Sequence, residues 1–229
     1  MAGIAERIEQ VKARIQRACT RTGRDPLQVC LVAVTKGVGV EAIREAYSLG
    51  LRIFGENYLQ EAQPKAKELP MDIVWHFIGH LQRRKAKDVV GAFEVIHSLD
   101  SLRLAEEVAK RALEQGRTQK VFLQVNIGEE EAKSGLRKDE ALPVLEALAG
   151  MKGIDLQGLM CIPPLSEDPE ASRPYFRELK EMRDMAAGMI RRSPESLGLS
   201  MGMTGDFEVA IEEGATYIRV GTAIFGPRQ

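Results

Sequence analysis

No stretch of this 229-residue chain stays apolar for the roughly 18 residues that a membrane-crossing helix needs. The N-terminus also lacks the uninterrupted apolar core of a secretory signal, and Glu6 and Glu9 argue against an organelle transit peptide. Cysteine is scarce: Cys19, Cys30 and Cys161 are far apart and odd in number, which fits a reducing cytoplasm and leaves no metal-type cluster. An excess of one charge is missing too. Lys and Arg number 32 against 33 Asp and Glu, so no whole-molecule field draws nucleic acid, although a local basic pocket for a small anion is still allowed. The sequence has no low-complexity tract, linker or fixed-period repeat, and residues 1–229 read as a single domain.

Several catalytic signatures are absent as well. The "GMTG" at 202–205 matches no Walker or dinucleotide fingerprint, and "GVG" at 37–39 is too short for one. Nothing resembles a nucleophile elbow. Of the three histidines, His76 and His80 share one face of a strand in "HFIGH", but no carboxylate lies near them in sequence. Hydrogen bonding in a core or pocket is therefore expected of His76, His80 and His97, and no metal site.

What the chain does have is alternation. Short apolar stretches fall at 28–35, 51–55, 73–79, 93–98, 120–127, 154–160, 197–200 and 216–221. The first and fifth are apolar on both faces, as parallel strands covered on both sides must be. Helical texture separates several of them: "VEAIREAYSLG", "SLRLAEEVAKRALEQG", and a segment opened by Asp168-Pro169 whose stripe Tyr175, Leu179, Met182, Ala186 and Met189 faces a core. An amphipathic helix with Ile4, Ile8, Val11, Ile15 and Ala18 on one side precedes them all. Eight strands with helices between them predict an α/β fold, a single (β/α)8 TIM barrel with an extra N-terminal helix; about 250 residues is typical for such a barrel. A doubly wound open sheet is the alternative.

In a barrel, ligands sit at the C-terminal strand ends. Those ends bring Lys36, Glu56 with Asn57, His80 with Gln82, Asp100, Asn126, Met160 with Pro163-Pro164, Ser200 and the run Arg219–Thr222 to one mouth. Lys36 is either a lysine that snorkels to water or an amine held in a partly dry pocket, ready to condense with an aldehyde. The turns at Gly202–Gly205 and Gly221-Thr222 are either ordinary glycine turns or a backbone cradle for phosphate. Arg219 lies among apolar neighbours and needs a partner, either a structural ion pair or a ligand. The Glu-rich run at 128–135 reads as a solvated loop whose Lys133 could reach the mouth. Tyr47 and Tyr58 lie in helical patterns and are expected to pack; the alternative for each is a substitute catalytic acid.

Six stretches in order, "AVTKGV", "FGENYLQEA", "WHFIGHLQRRK", "VNIGEEEAKSGL", "GLMCIPP" and "LSMGMTGDFEVAIEEGATYIRVGTAIFG", resemble the pyridoxal phosphate homeostasis protein family, small relatives of the alanine racemase N-terminal barrel. The resemblance spans essentially the whole chain. It implies a fold-type III barrel that carries pyridoxal 5′-phosphate as an imine on Lys36. The phosphate is expected on Ser200, Met201 and Gly202 and on Gly221 and Thr222, with Arg219 facing the pyridine nitrogen and Asn57 beside the ring. The context "VTKGV", Arg83-Arg84 after "GHLQ" and Thr204 in place of serine depart from the usual pattern and put the packing of the loop after Lys36 in question.

An arginine only donates, so it favours an unprotonated ring nitrogen and a weak electron sink. The resemblance therefore implies a cytoplasmic, monomeric binding protein for cofactor homeostasis, with apo-enzymes as candidate recipients, and not an enzyme. An amino-acid racemase or other pyridoxal phosphate enzyme is the alternative; it would call for a second domain, for which no room is expected after Gln229. An aldolase-type barrel using Lys36 is a third reading.

Overall fold

Each apolar stretch becomes one strand of the computed structural model, which describes residues 3–130 and 133–227. The strands are β1 (Cys30–Val34), β2 (Ile53–Glu56), β3 (Val74–Phe77), β4 (Val95–Leu99), β5 (Gln119–Val125), β6 (Ile154–Cys161), β7 (Gly198–Ser200) and β8 (Tyr217–Val220). They run parallel in chain order and close on themselves. The closing pair rules out the open sheet: β1 lies beside β8 with Cys30 opposite Tyr217 and Ala33 opposite Val220. The fold is the expected (β/α)8 barrel.

The helices are α1 (Ile4–Thr22), α2 (Val40–Ser48), α3 (Leu59–Glu68), α4 (Ala86–Val89), α5 (Leu102–Glu114), α6 (Lys138–Ala149), α7 (Arg173–Met189), α8 (Phe207–Glu212) and α9 (Thr222–Phe225). The stripe expected on α1 is the face that is used: Ile8, Val11, Ile15 and Ala18 are buried, and the helix packs on α8 and α9. Salt bridges from Arg14 to Glu208 and from Arg21 to Glu212 tie its outer side to α8. Among the described residues no helix is long and apolar enough to cross a membrane.

Asp168-Pro169 does not open the long helix directly. Asp168 caps a 3-10 turn, Pro169–Ser172, by accepting from the Glu170 N–H. The α-helix starts afresh at Arg173, so its core face is Phe176, Leu179, Met182, Ala186 and Ala187. Leu179, Met182 and Ala186 of the expected stripe are buried, Tyr175 is half-buried and Met189 is exposed.

Two cores result. The larger fills the space between sheet and helices. The smaller sits inside the barrel around Val95, Phe122 and Met160, and shares that interior with the buried polar residues His76, His97, Ser200 and Arg219. All three cysteines are free, Cys19 and Cys161 buried and Cys30 half-buried. Burial pushes the thiols of Cys30 and Cys161 up to about 12 and raises that of Cys19.

Candidate functional site

Strand pairing at the first position continues one residue past β1, with the Thr35 N–H donating to the Gly55 carbonyl at 2.9 Å. Lys36 follows, and Gly37 then turns the chain with a φ of 70°, a conformation that favours glycine. Lys36 is half-buried. Among the described residues its ammonium makes no hydrogen bond or ion pair; its Nζ lies 5.1 Å from the centre of the Tyr58 ring. Tyr58 is therefore not a packing residue as expected. It stands at the start of α3, 49% exposed, beside the amine. Tyr47 does pack, half-buried against the core, and its hydroxyl donates to Asp72 at 2.7 Å.

Lys36 opens into a cavity of about 330 Å³, within the range of small-ligand sites. Asn57, Arg219, Gly221 and Thr222 share its wall. Asn57 is pressed against the next loop: a Cβ on Gly79 would come 2.2 Å from its carbonyl oxygen. The far end belongs to Arg219, which is 4% exposed. Its guanidinium donates to the Ser200 hydroxyl at 2.6 Å and to the Cys161 carbonyl at 2.9 Å. Both partners are neutral, so the structural ion pair considered for it is not formed. Burial lowers its pKa, yet arginine stays charged in proteins. A buried cation without a counter-charge is costly, and it makes this end of the cavity receptive to an acceptor atom.

A model of the alanine racemase N-terminal domain family matches residues 7–229. The chain is 45% identical to the pyridoxal phosphate homeostasis protein of Aquifex aeolicus, over 98% of each chain. It is 41% identical to the protein of that name from Pseudomonas aeruginosa, covering 100% of this chain and 97% of the other. It belongs to the pyridoxal phosphate homeostasis protein family. A solved structure of PipY from Synechococcus elongatus with PLP bound matches this member of the family at a TM-score of 0.81 and 38% identity, over 97% of this chain and 100% of that one.

The remaining expected contacts are distributed unevenly in this family member. Ser200, Met201 and Gly202 are not on the cavity wall; the residues that follow them, Met203–Asp206, are. Met201 is buried in the outer core. Gly202 accepts the Arg219 N–H and has no room for a side chain, since a Cβ would meet that of Ala210 at 2.6 Å. Asp206 organises the turn, accepting from the Met203 N–H at 2.7 Å and the Ser172 hydroxyl at 2.9 Å. Thr204 reaches across to the next loop, where the Ala223 N–H donates to its hydroxyl at 3.4 Å. The signal for this turn was the "GMTGD" spacing, an aspartate two residues after the threonine.

Ser200 instead points its hydroxyl inward, 2.7 Å from His97 Nδ1, and His97 Nε2 lies 2.9 Å from His76 Nδ1. Arginine can only donate, so Ser200 accepts from Arg219. Its own proton then has one acceptor within reach, His97 Nδ1, because a buried hydroxyl proton left unpaired is costly. His97 must carry its proton on Nε2 and pass the bond on to His76. Burial holds both rings neutral: it brings His76 down to about 4 and His97 well below the usual range. These two histidines fulfil the expected core role. Among the described residues no group of metal-ligating side chains forms.

At the rim, Asp100 and Ser134 both lie 3.2 Å from Nδ1 of His80. A hydrolytic relay needs acid and nucleophile on opposite ring nitrogens, so this trio is not one. Lys133 does reach the mouth, bonding Glu130 and the carbonyl of Pro163 on the cavity wall. Glu131 and Ala132 of the same run lie outside the described residues.

Proposed function

We propose that this chain binds pyridoxal 5′-phosphate covalently on Lys36 and serves cofactor homeostasis, keeping the reactive aldehyde sequestered and releasing it to apo-enzymes. The observation that carries the reading is the pairing of an uncommitted amine with a buried, donor-only guanidinium on one cavity of ligand size. When bound, the group supplies an aldehyde carbon and a pyridine ring that can accept electron density. Lys36 would hold that carbon through its side-chain nitrogen. Arg219, a donor only, would face the ring nitrogen and favour its unprotonated form. Asn57 flanks the ring. Gly221 and Thr222, on the cavity wall, would hold the phosphate together with the turn Met203–Asp206; Ser200, Met201 and Gly202 lie off that wall, with the Met201 N–H donated to the Tyr217 carbonyl and the Ser200 hydroxyl committed to Arg219 and His97.

Two features favour holding over turnover. An arginine at the ring makes a weak sink for carbanions, and the carboxylate on the cavity wall, Asp206, has both oxygens occupied. The reading takes the chain as one domain acting as a cytoplasmic monomer, which its free thiols suit and light scattering can check.

Incubation with pyridoxal phosphate should give a visible absorbance band that borohydride removes, and peptide mapping should place the reduced label on Lys36. A label elsewhere, with Lys36→Ala unaffected, would overturn the assignment. Alanine and serine enantiomers should not racemise above the Lys36→Ala background; clear turnover would establish the alternative, a racemase-like enzyme.

A further inference from the structure

Among the described residues the ammonium of Lys36 has only the Tyr58 ring beside it, whereas the backbone on either side is held by hydrogen bonds. Thr35, immediately before, is fully buried. Its carbonyl accepts from Lys65 Nζ at 2.8 Å and its hydroxyl donates to Glu56 Oε1 at 2.6 Å. The same Glu56 oxygen takes Lys65 Nζ at 2.6 Å. Gly37, immediately after, donates its N–H to Glu61 Oε2 at 2.9 Å, and Glu61 in turn lies 3.6 Å from Lys65 Nζ. Glu61 and Lys65 are one helical turn apart on α3, on the same face, and Glu56 ends β2. Both peptide groups flanking the amine are thus tied to one cluster of charge.

That cluster is expensive. Glu56 is completely buried, and among the described residues its second oxygen, Oε2, has no partner. Burial raises its pKa against the pull of Lys65 and Thr35. Replacing a buried ion pair with apolar residues is often neutral or stabilising, so packing α3 on the barrel does not by itself call for one. What the pair does that apolar residues could not is hold a carbonyl, a hydroxyl and, through Glu61, an amide, all within one residue of Lys36.

We propose that Glu56, Glu61 and Lys65 form a backbone clamp that positions Lys36, so that α3 sets where the amine reaches in the cavity. The clamp acts on the reading of Lys36 as the cofactor anchor, but its geometry stands apart from it. With the side chain free, the reach of Nζ is fixed by the position of its Cα and by the turn at Gly37. Misplacing a reacting group by about 1 Å can cost on the order of a hundredfold in rate.

Glu61 offers the cleanest test, because it is partly exposed and its loss should spare the fold. Glu61→Ala removes both the charge and the acceptor for the Gly37 N–H; Glu61→Gln removes the charge and keeps an acceptor. Stopped-flow formation of the covalent pyridoxal phosphate adduct should be roughly tenfold slower in the Ala variant at saturating ligand, with half-saturation unchanged. The Gln variant should stay within about twofold of wild type. Equal slowing in both would mean that charge and not position matters, and would overturn the clamp; so would an Ala variant as fast as wild type. The paired variant Glu56→Gln/Lys65→Met, which leaves no lone buried charge, should also be slow.

A second readout needs no cofactor. Amide hydrogen exchange at Gly37 should be at least about tenfold faster in Glu61→Ala than in wild type or Glu61→Gln, because an opened hydrogen bond exchanges freely. Equal exchange in all three would sink the clamp. If wild type instead takes no label on Lys36, the cofactor reading fails, and Gly37 exchange still decides the clamp.

Discussion

Lys36 and Arg219 are two cations on one cavity, and they are restrained in opposite ways. Lys36 has its backbone pinned on both sides and, among the described residues, its ammonium left without a bonding partner. Arg219 has its guanidinium pinned by Ser200 and the Cys161 carbonyl, deep in the barrel. The environments differ in kind as well. Around Lys36 the supporting groups are charged, Glu56, Glu61 and Lys65. Around Arg219 they are neutral, ending in two uncharged histidines. A group that must make and break a bond with a ligand needs a free tip on a fixed base, whereas a group that only sets the polarity of a ligand atom needs its tip fixed.

The comparison is broken most severely at the tip of Lys36. Lys36→Ala should abolish covalent capture of pyridoxal phosphate, read by borohydride labelling, while stability changes by no more than about 1 kcal/mol, the loss of the contact with the Tyr58 ring. The neutral network under Arg219 should show its worth in acid. An unfolded histidine titrates near 6.5, whereas folded His76 does so at about 4 and His97 lower still. The unfolded chain then binds more protons throughout that interval. Stability should therefore be complete above about pH 6.5 and fall as the pH drops toward 4, by about 3 kcal/mol for His76 alone. Urea midpoints across that range should follow this slope, and His76→Gln, which keeps an acceptor for His97, should flatten it.

Smaller effects follow from single links. Ser200→Ala leaves Arg219 and His97 each short of a partner and should cost about 1–3 kcal/mol in denaturant unfolding at neutral pH. The corresponding change beside Lys36, Tyr58→Ala, removes a ring from a half-buried amine and should cost about 0.5–1 kcal/mol. Tyr58→Phe keeps the ring and should cost less. If Tyr58→Ala proved more damaging than Ser200→Ala, the contrast between a free tip and a fixed one would fail.

The barrel was legible because covered parallel strands leave short apolar runs whatever the helices between them contain. Helices α3 and α6 were harder to read, since each carries an internal proline, Pro64 and Pro143, which breaks the expected texture. Lys36 and Arg219 stood out as charges in apolar settings. Their partners did not, because His76, His97, Ser200 and Arg219 lie on β3, β4, β7 and β8, and only closure of the barrel brings them together. Spacing along the chain also cannot say that Ser200 turns inward while the next turn, Met203–Asp206, lines the cavity. Tyr58 departs from its helical texture for a related reason: it sits just before α3 with extended backbone, so its ring does not share the packed face of that helix.

The depth of the three thiols has a chemical consequence for a protein that handles an aldehyde. Cysteine attacks electrophilic carbon as the thiolate. With Cys30 and Cys161 raised to about 12, roughly one thiol in a hundred thousand is ionised at neutral pH. Cys19 is buried and shifted in the same direction. The interior therefore offers an incoming aldehyde almost no sulfur nucleophile, and selectivity for nitrogen is built in by burial.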